Sequence, residues 1–131
     1  MMMRQVLVAT IALLGESMVA HADILAAGGL YGGPTQSVAV CYVFNAGTAP
    51  VTFSGQQVIR GQLNNPLATD MYYDDCGSTL GAGRVCGIGV KIKANQGYAC
   101  MVGINGSKEN VRGGMETRDS SGHVLSNSEL R

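Results

Sequence analysis

Residues 76–100, CGSTLGAGRVCGIGVKIKANQGYAC, hold three of the four cysteines of this 131-residue chain and the pattern that decides its fold. A glycine-rich turn follows Cys76, and a second turn at 94–97 leads into Tyr98. Between the turns the side chains alternate: Cys86, Ile88, Val90 and Ile92 share one face, and Val85, Gly87, Gly89, Lys91 and Lys93 share the other. A period of two is typical of a strand with one buried face. The stretch therefore predicts a β-hairpin against which the other strands pack.

The rest of the chain consists of short strand-like stretches separated by turn residues. These stretches are rich in β-branched and aromatic residues, and we expect strands at 36–45, 49–54, 57–60, 67–75, 98–104, 109–119 and 123–130. The first is apolar on both faces, which predicts a central strand, whereas the glycine-rich 23–34 predicts a loose lead or a short edge strand. Asn105-Gly106 is a strong hairpin signal. No helical periodicity extends over three turns, so about seven or eight strands predict an all-β antiparallel β-sandwich.

The N-terminus has the features of an export signal. A basic start at Arg4 precedes the apolar run 6–14, and Ala20-His21-Ala22 offers small residues where a signal peptidase requires them. The run is too short for a membrane span, which needs about 20 apolar residues. We therefore expect a cleaved signal peptide at 1–22 and one domain at 23–131, in the periplasm or secreted.

Composition narrows the classes of partner. The formal net charge is zero, and the lysines and arginines form no cluster, which argues against nucleic acid or an anionic membrane surface. No second apolar run is long enough to span a bilayer, so we expect no membrane insertion after signal cleavage.

The four cysteines all lie within 23–131, an even number in a chain expected to be exported. Such a context favours disulfides. The alternative is a zinc site, but His123 would be the only histidine left as a ligand, and the cysteine spacings are wider than those of structural zinc sites. We expect two disulfides and no cofactor.

The cysteine positions resemble those of immunoglobulin sandwiches, in which two central strands carry the bridging cysteines and a Tyr-x-Cys contains the second. Tyr98-Ala99-Cys100 matches that pattern, and Cys41 lies within an expected central strand, although the chain has no tryptophan to pack on the bridge. The resemblance implies a Cys41–Cys100 bridge between the sheets and leaves Cys76 and Cys86 to close a local loop.

Two further motifs resemble the ASH/choice-of-anchor-D group of immunoglobulin-like domains. FNAGTAPVTF at 44–53 has that group's N-x-G-T-x-P turn between two strands, and DCGSTLGAGRVCGI at 75–88 has its Cys-Gly-x-x-Leu-x-x-Gly-x-x-Cys turn. The resemblance covers roughly residues 37–93. Cys41, Cys100 and the C-terminal segment depart from it. It implies a binding or structural module and names no ligand.

The sequence shows no catalytic set. His123 lies beside a Ser-Ser-Gly turn, which indicates a solvated hairpin residue, and an enzyme needs a base close to its nucleophile. One concentrated polar and aromatic patch stands out, formed by Asp70, Tyr72, Tyr73, Asp74 and Asp75. Its carboxylates could hold a hard cation, but their spacing fits no known calcium loop, and acids on an edge strand also discourage edge pairing. Because tyrosines give contact area at low entropic cost, we take the patch as the candidate partner site.

Three functions stay open on this evidence. The first is an exported, non-enzymatic immunoglobulin-like module that binds an unknown protein or glycan. The second is a structural subunit that assembles by donating or accepting a β-strand, an interpretation prompted by the glycine-rich N-terminal lead and the terminal strand-like segment HVLSNSELR. The third, and weakest, is a small metal-binding hydrolase.

Overall fold

The fold is a two-layer sandwich of antiparallel strands, seen in a computed structural model that describes residues 22–61 and 71–131. Nine strands occur in these ranges: β1 Ala22–Gly32, β2 Val38–Asn45, β3 Val51–Arg60, β4 Met71–Asp74, β5 Thr79–Leu80, β6 Val85–Lys91, β7 Gln96–Asn105, β8 Val111–Arg118 and β9 Val124–Glu129. One sheet has the order β1-β7-β3-β5, and the other has the order β4-β6-β2-β8-β9. The predicted all-β sandwich is confirmed, with nine strands rather than seven or eight. The expected signal peptide lies outside the described residues, apart from Ala22.

Two strands raise the count: Thr79–Leu80 forms β5 within the turn expected after Cys76, and the N-terminal lead forms the eleven-residue edge strand β1. Its buried side chains Leu25, Ala27 and Leu30 fall out of strict alternation, and a bulge between the last two restores the parity. Gly29 absorbs the bulge with a φ of 80°, a conformation that costs glycine little. This segment therefore forms a strand because its apolar side chains are buried, even though it is rich in glycine. The stretches expected at 49–54 and 57–60 are likewise one bulged strand, β3.

Both predicted disulfides are present. Cys41 in β2 bonds Cys100 in β7, and these strands lie in the interior of opposite sheets. Cys76 bonds Cys86, which ties the turn after β4 to β6. Two disulfides are typical of an oxidising, extracytoplasmic compartment. Within the two described ranges there is also no helix with the length and apolar character of a membrane span.

The inward faces follow the predicted alternation. In β7, Tyr98, Cys100, Val102 and Ile104 are all buried, as expected from their shared parity. The Tyr98 hydroxyl accepts a hydrogen bond from the backbone N–H of Lys93 at 2.7 Å, five residues upstream. This arrangement matches the tyrosine corner of immunoglobulin-type sandwiches. The Tyr-x-Cys pattern thus marks the position of the cross-sheet disulfide and of the tyrosine corner.

Two expected hairpins are wrong. β6 and β7 lie in different sheets, and so do β7 and β8, which flank Asn105-Gly106. Both edges of β6 are occupied by β4 and β2, and both edges of β7 are occupied by β1 and β3, so neither strand has a free edge for its neighbour in sequence. The connections at 92–95 and 106–110 therefore carry the chain from one sheet to the other. The last hairpin, β8–β9, is confirmed.

Asn45 ends β2 fully buried, and its side chain joins three segments. Its amide nitrogen donates to the carbonyls of Ala49 at 2.8 Å and Leu80 at 3.1 Å, while its oxygen accepts from the N–H of Gly47 at 2.9 Å. This asparagine therefore holds the N-x-G-T-x-P turn against β5.

We expect Asn45→Ala to lower the free energy of unfolding by about 2 kcal/mol, because buried backbone groups would lose their partners. Chemical denaturation measures the loss. Asn127→Ala, at an exposed position in β9, is the control and should change stability by less than about 0.5 kcal/mol. Equal stability of the two variants would contradict this role of Asn45.

Candidate functional site

The predicted patch lies at the edge of the five-stranded sheet, but its residues do different things. Tyr72, Tyr73 and Asp74 belong to the edge strand β4, and Asp75 follows it. Asp70 lies outside the described residues.

The two described aspartates serve the backbone of the disulfide turn. Asp74 Oδ1 accepts the N–H of Cys76 at 3.0 Å, and Asp75 Oδ1 accepts the N–H of Gly87 at 2.5 Å. Both carboxylates therefore fasten the Cys76–Cys86 corner. Among residues 22–61 and 71–131, no three His, Cys, Asp or Glu side chains are grouped so that they could hold a metal ion.

The tyrosines, in contrast, lie on the outer side of the sheet, where Tyr72 is exposed and Tyr73 is half-buried. Tyr73 lies across β6 on the outer face, directly over Gly87 and Gly89. A Cβ on Gly89 would lie 2.5 Å from the Tyr73 ring, and one on Gly87 would lie 2.9 Å from its hydroxyl oxygen. The two glycines on the outward parity of β6 thus form the seat of the ring. The sequence places Gly87 and Gly89 on one face of β6. The reason for two glycines there becomes clear only from the pairing of β4 with β6, which brings Tyr73 over them.

A polar network continues from Tyr73 across the same face. Tyr42 in β2 accepts a hydrogen bond from Arg118 at 2.8 Å, and the Arg118 guanidinium lies 5.7 Å from the centre of the Tyr42 ring. Arg118 also donates to the carboxylate of Glu116, and this bond raises the pKa of the guanidinium. The network therefore fixes an arginine at one end of the outer face.

Burial raises the pKa of Tyr73 well above its ordinary value, and a hydrogen bond with Tyr42 adds to the rise. Tyr73 therefore loses its proton less readily than an ordinary tyrosine, which is itself neutral at physiological pH. It offers a ring and a hydroxyl group to a ligand rather than a charge.

These elements enclose an open groove of about 570 Å³, here called the tyrosine groove. Residues from four segments line it: Gln36, Ser37, Val38, Val40, Tyr72, Tyr73, Lys91, Ile92, Arg118, Asp119, Ser120 and Gly122. Val40 is only 2 % exposed although its neighbours in β2, Ala39 and Cys41, point into the core. The floor is therefore apolar and well packed, while the rim carries charges and hydroxyl groups.

The rim supplies several kinds of contact. Tyr72 is 61 % exposed and meets Tyr73 edge to face, with ring centres 5.9 Å apart. The side chain of Lys91 makes no hydrogen bond or ion pair with residues 22–61 or 71–131. An apolar floor, two tyrosine rings and an ammonium group suit recognition of a ligand that presents both apolar and polar surface.

His123 lies at the neighbouring β8–β9 turn. Its side chain is 76 % exposed, and Nδ1 lies 3.0 Å from Oδ2 of Asp119. Oδ1 of the same aspartate accepts the N–H groups of Ser121 and His123, at 2.8 and 2.9 Å. The hydrogen bond from His123 contributes most to lowering the pKa of Asp119. The histidine and the aspartate thus hold a turn that forms one end of the groove.

Sequence reasoning named the two tyrosines of the groove but missed its other residues. Val40, Lys91 and Arg118 come from three different strands, and no spacing in the sequence links them to Tyr73. Comparison of the chain with family models, with curated proteins and with solved structures found no match. The resemblance to the ASH/choice-of-anchor-D group stays a prediction.

Proposed function

We propose that this chain is an exported, non-enzymatic immunoglobulin-like module of the bacterial envelope that binds a protein or a glycan through the tyrosine groove. The observation that carries the proposal is that the groove is formed in advance of any ligand. Tyr73 is fixed over two glycines, and the floor includes the buried Val40.

The seat matters because it orders the site before the ligand arrives. A ring held by Gly87 and Gly89 loses little further conformational freedom on binding, which leaves more of the interaction energy for affinity. The adjoining ring of Tyr72 is exposed and can cover a ligand at low entropic cost.

The chemistry of the rim suits a partner with polar groups around an apolar or ring-shaped surface. Tyrosine rings pack against aliphatic side chains and against the faces of sugars, while Lys91, Ser37 and Gln36 provide hydrogen-bond donors. Periplasmic or extracellular residence agrees with the two disulfides and with the export signal expected from the sequence.

The test is capture of envelope partners by the purified protein and by a Tyr72→Ala/Tyr73→Ala variant. We expect the double variant to lose at least about tenfold in affinity, since two contact rings at the centre of an interface typically contribute more than 1.4 kcal/mol. Treating the extract with protease before capture separates a protein partner from a glycan.

Tyr31→Ala is the matched control. Tyr31 is 55 % exposed, lies on β1 in the other sheet and donates a hydrogen bond to Asn95 at 2.8 Å. Partners that bind the double variant as tightly as the original protein would remove the tyrosine groove from consideration. Denaturation curves of all variants separate lost binding from lost folding.

A further inference from the structure

Strand β1 lies at an edge of its sheet and is bonded to the rest of the domain mainly along one side. Nine residue pairs join it to β7, from Ala22–Asn105 to Gly32–Gln96. On its other side, Ala26 and Arg131 exchange two backbone hydrogen bonds, of 3.0 and 3.1 Å. β1 is thus a strand added to a sheet edge, of the kind that a separate chain can also supply.

The side chains of β1 nonetheless complete the core. Leu25, Ala27 and Leu30 are 4 %, 4 % and 8 % exposed, and they are paired with three buried residues of β7, namely Val102, Cys100 and Tyr98. A domain without β1 would expose these apolar side chains and the bridging sulfur. The slot beside β7 must therefore be filled, and the segment that fits it is β1 itself.

Neither disulfide restrains β1. Both bridges lie within residues 41–100, so they pin β2 to β7 and close the corner beside β6. The domain body from β2 onward keeps its covalent staples whether β1 is docked in its own domain or elsewhere. The two disulfides thus hold the slot beside β7 in place without restraining β1, the strand that fills it.

The segment at 33–37 that joins β1 to β2 has the composition of a hinge. It crosses from one sheet to the other, and β1 and β2 share no ladder of hydrogen bonds. Its turn is closed by one long hydrogen bond, from the N–H of Gln36 to the oxygen of Gly33 at 3.3 Å. Pro34 follows directly and favours an extended backbone at Gly33. If this turn opened into an extended conformation, the segment would carry β1 away from its own domain.

From these observations we infer that the protein associates with itself by strand exchange, with β1 of one copy filling the slot beside β7 of a second copy. Every contact of β1 is then remade between chains, so the exchange costs only the freedom lost on association, and a higher protein concentration offsets that cost. The inference is independent of the tyrosine groove, which lies on the outer face of the opposite sheet.

The experiment coexpresses two variants of the full chain, Ala26→Cys and Met101→Cys, each with one cysteine added to the four that form the native disulfides. These residues face each other across β1 and β7, so a 26–101 disulfide between the two variants forms only where β1 of one chain pairs with β7 of another. We expect mass spectrometry to find this inter-chain bond, and non-reducing electrophoresis to show a species of twice the protomer mass. Sedimentation of the unmodified protein should give a mass that rises to two or more protomers with concentration.

Gln57→Cys coexpressed with Met101→Cys is the control. Gln57 is the neighbour of Met101 on the other side, in β3, and both belong to the domain body. We expect no 57–101 bond between chains. Absence of the inter-chain 26–101 bond would overturn the inference, and so would equal yields of the two bonds, because random oxidation would then explain both. Strictly monomeric sedimentation at every concentration would overturn it as well.

Discussion

Removal of the cross-sheet bridge by Cys41→Ala/Cys100→Ala should lower the free energy of unfolding by about 4 kcal/mol, on the loop-entropy estimate for a closed loop of this length. The two cysteines are 59 residues apart in sequence, and their side chains are 0 % and 1 % exposed. The loss is a large fraction of the 5–15 kcal/mol that is typical of a small domain. Denaturant titration with a circular-dichroism readout measures it.

The matched variant is Cys76→Ala/Cys86→Ala. Its bridge closes a loop of only ten residues, so the expected loss is about 3 kcal/mol on the same estimate. Both variants remove one disulfide between buried sulfurs, and they differ chiefly in loop length and in whether the bridge joins the two sheets. A smaller loss for the 41–100 variant than for the 76–86 variant would contradict the central position given to the cross-sheet bridge.

Gly113→Ala should lower the free energy of unfolding by about 3 kcal/mol or prevent folding altogether. A Cβ at this position in β8 would lie 2.2 Å from the backbone oxygen of Tyr42 and 2.8 Å from Cδ1 of Leu130. The first contact is with the backbone of the central strand β2, which cannot rotate away. The second displaces Leu130, whose N–H donates to the Gly113 oxygen at 3.0 Å.

Gly97→Ala is the control for the effect of glycine itself. Gly97 also lies in a strand, β7, but a Cβ there would meet no atom within 4 Å. Because alanine restricts the unfolded chain more than glycine does, this variant should be as stable as the original protein or slightly more stable. Thermal unfolding of both variants checks the pair. If Gly113→Ala unfolds at the temperature of Gly97→Ala, the close contact between β8 and β2 is wrong.

Local sequence patterns predicted most of the two-layer architecture. The alternation at 84–93 and 98–104 fixed which side chains point inward, and the Tyr-x-Cys pattern placed the cross-sheet bridge. What failed was the connectivity. Asn105-Gly106 ends β7, with a φ of 104° at Gly106, and the turn before β8 is closed further on, by the hydrogen bond from the N–H of Val111 to the oxygen of Lys108 at 2.9 Å. A local turn signal does not determine whether the next strand returns to the same sheet. That choice depends on which edges are already occupied, and residues far away in sequence decide it.

The candidate site shows the same limit. Composition drew attention to residues 70–75, but it could not separate the aspartates that bond the disulfide turn from the tyrosines that face the groove. The separation depends on β4 pairing with β6, which places Tyr73 over two glycines and Asp75 against the N–H of Gly87. Arg118 reaches the groove because β8 lies next to β2, a pairing without any local signal.

The most direct test of the proposed function places a photoactivatable benzophenone side chain at position 72 in the living cell, and at position 31 as the control on the other sheet. If the tyrosine groove is the partner site, irradiation should give a discrete adduct from position 72, none from position 31, and a much weaker one when Tyr73→Ala is added. The same adducts from both positions, or an adduct from position 72 that Tyr73→Ala leaves unchanged, would contradict the account.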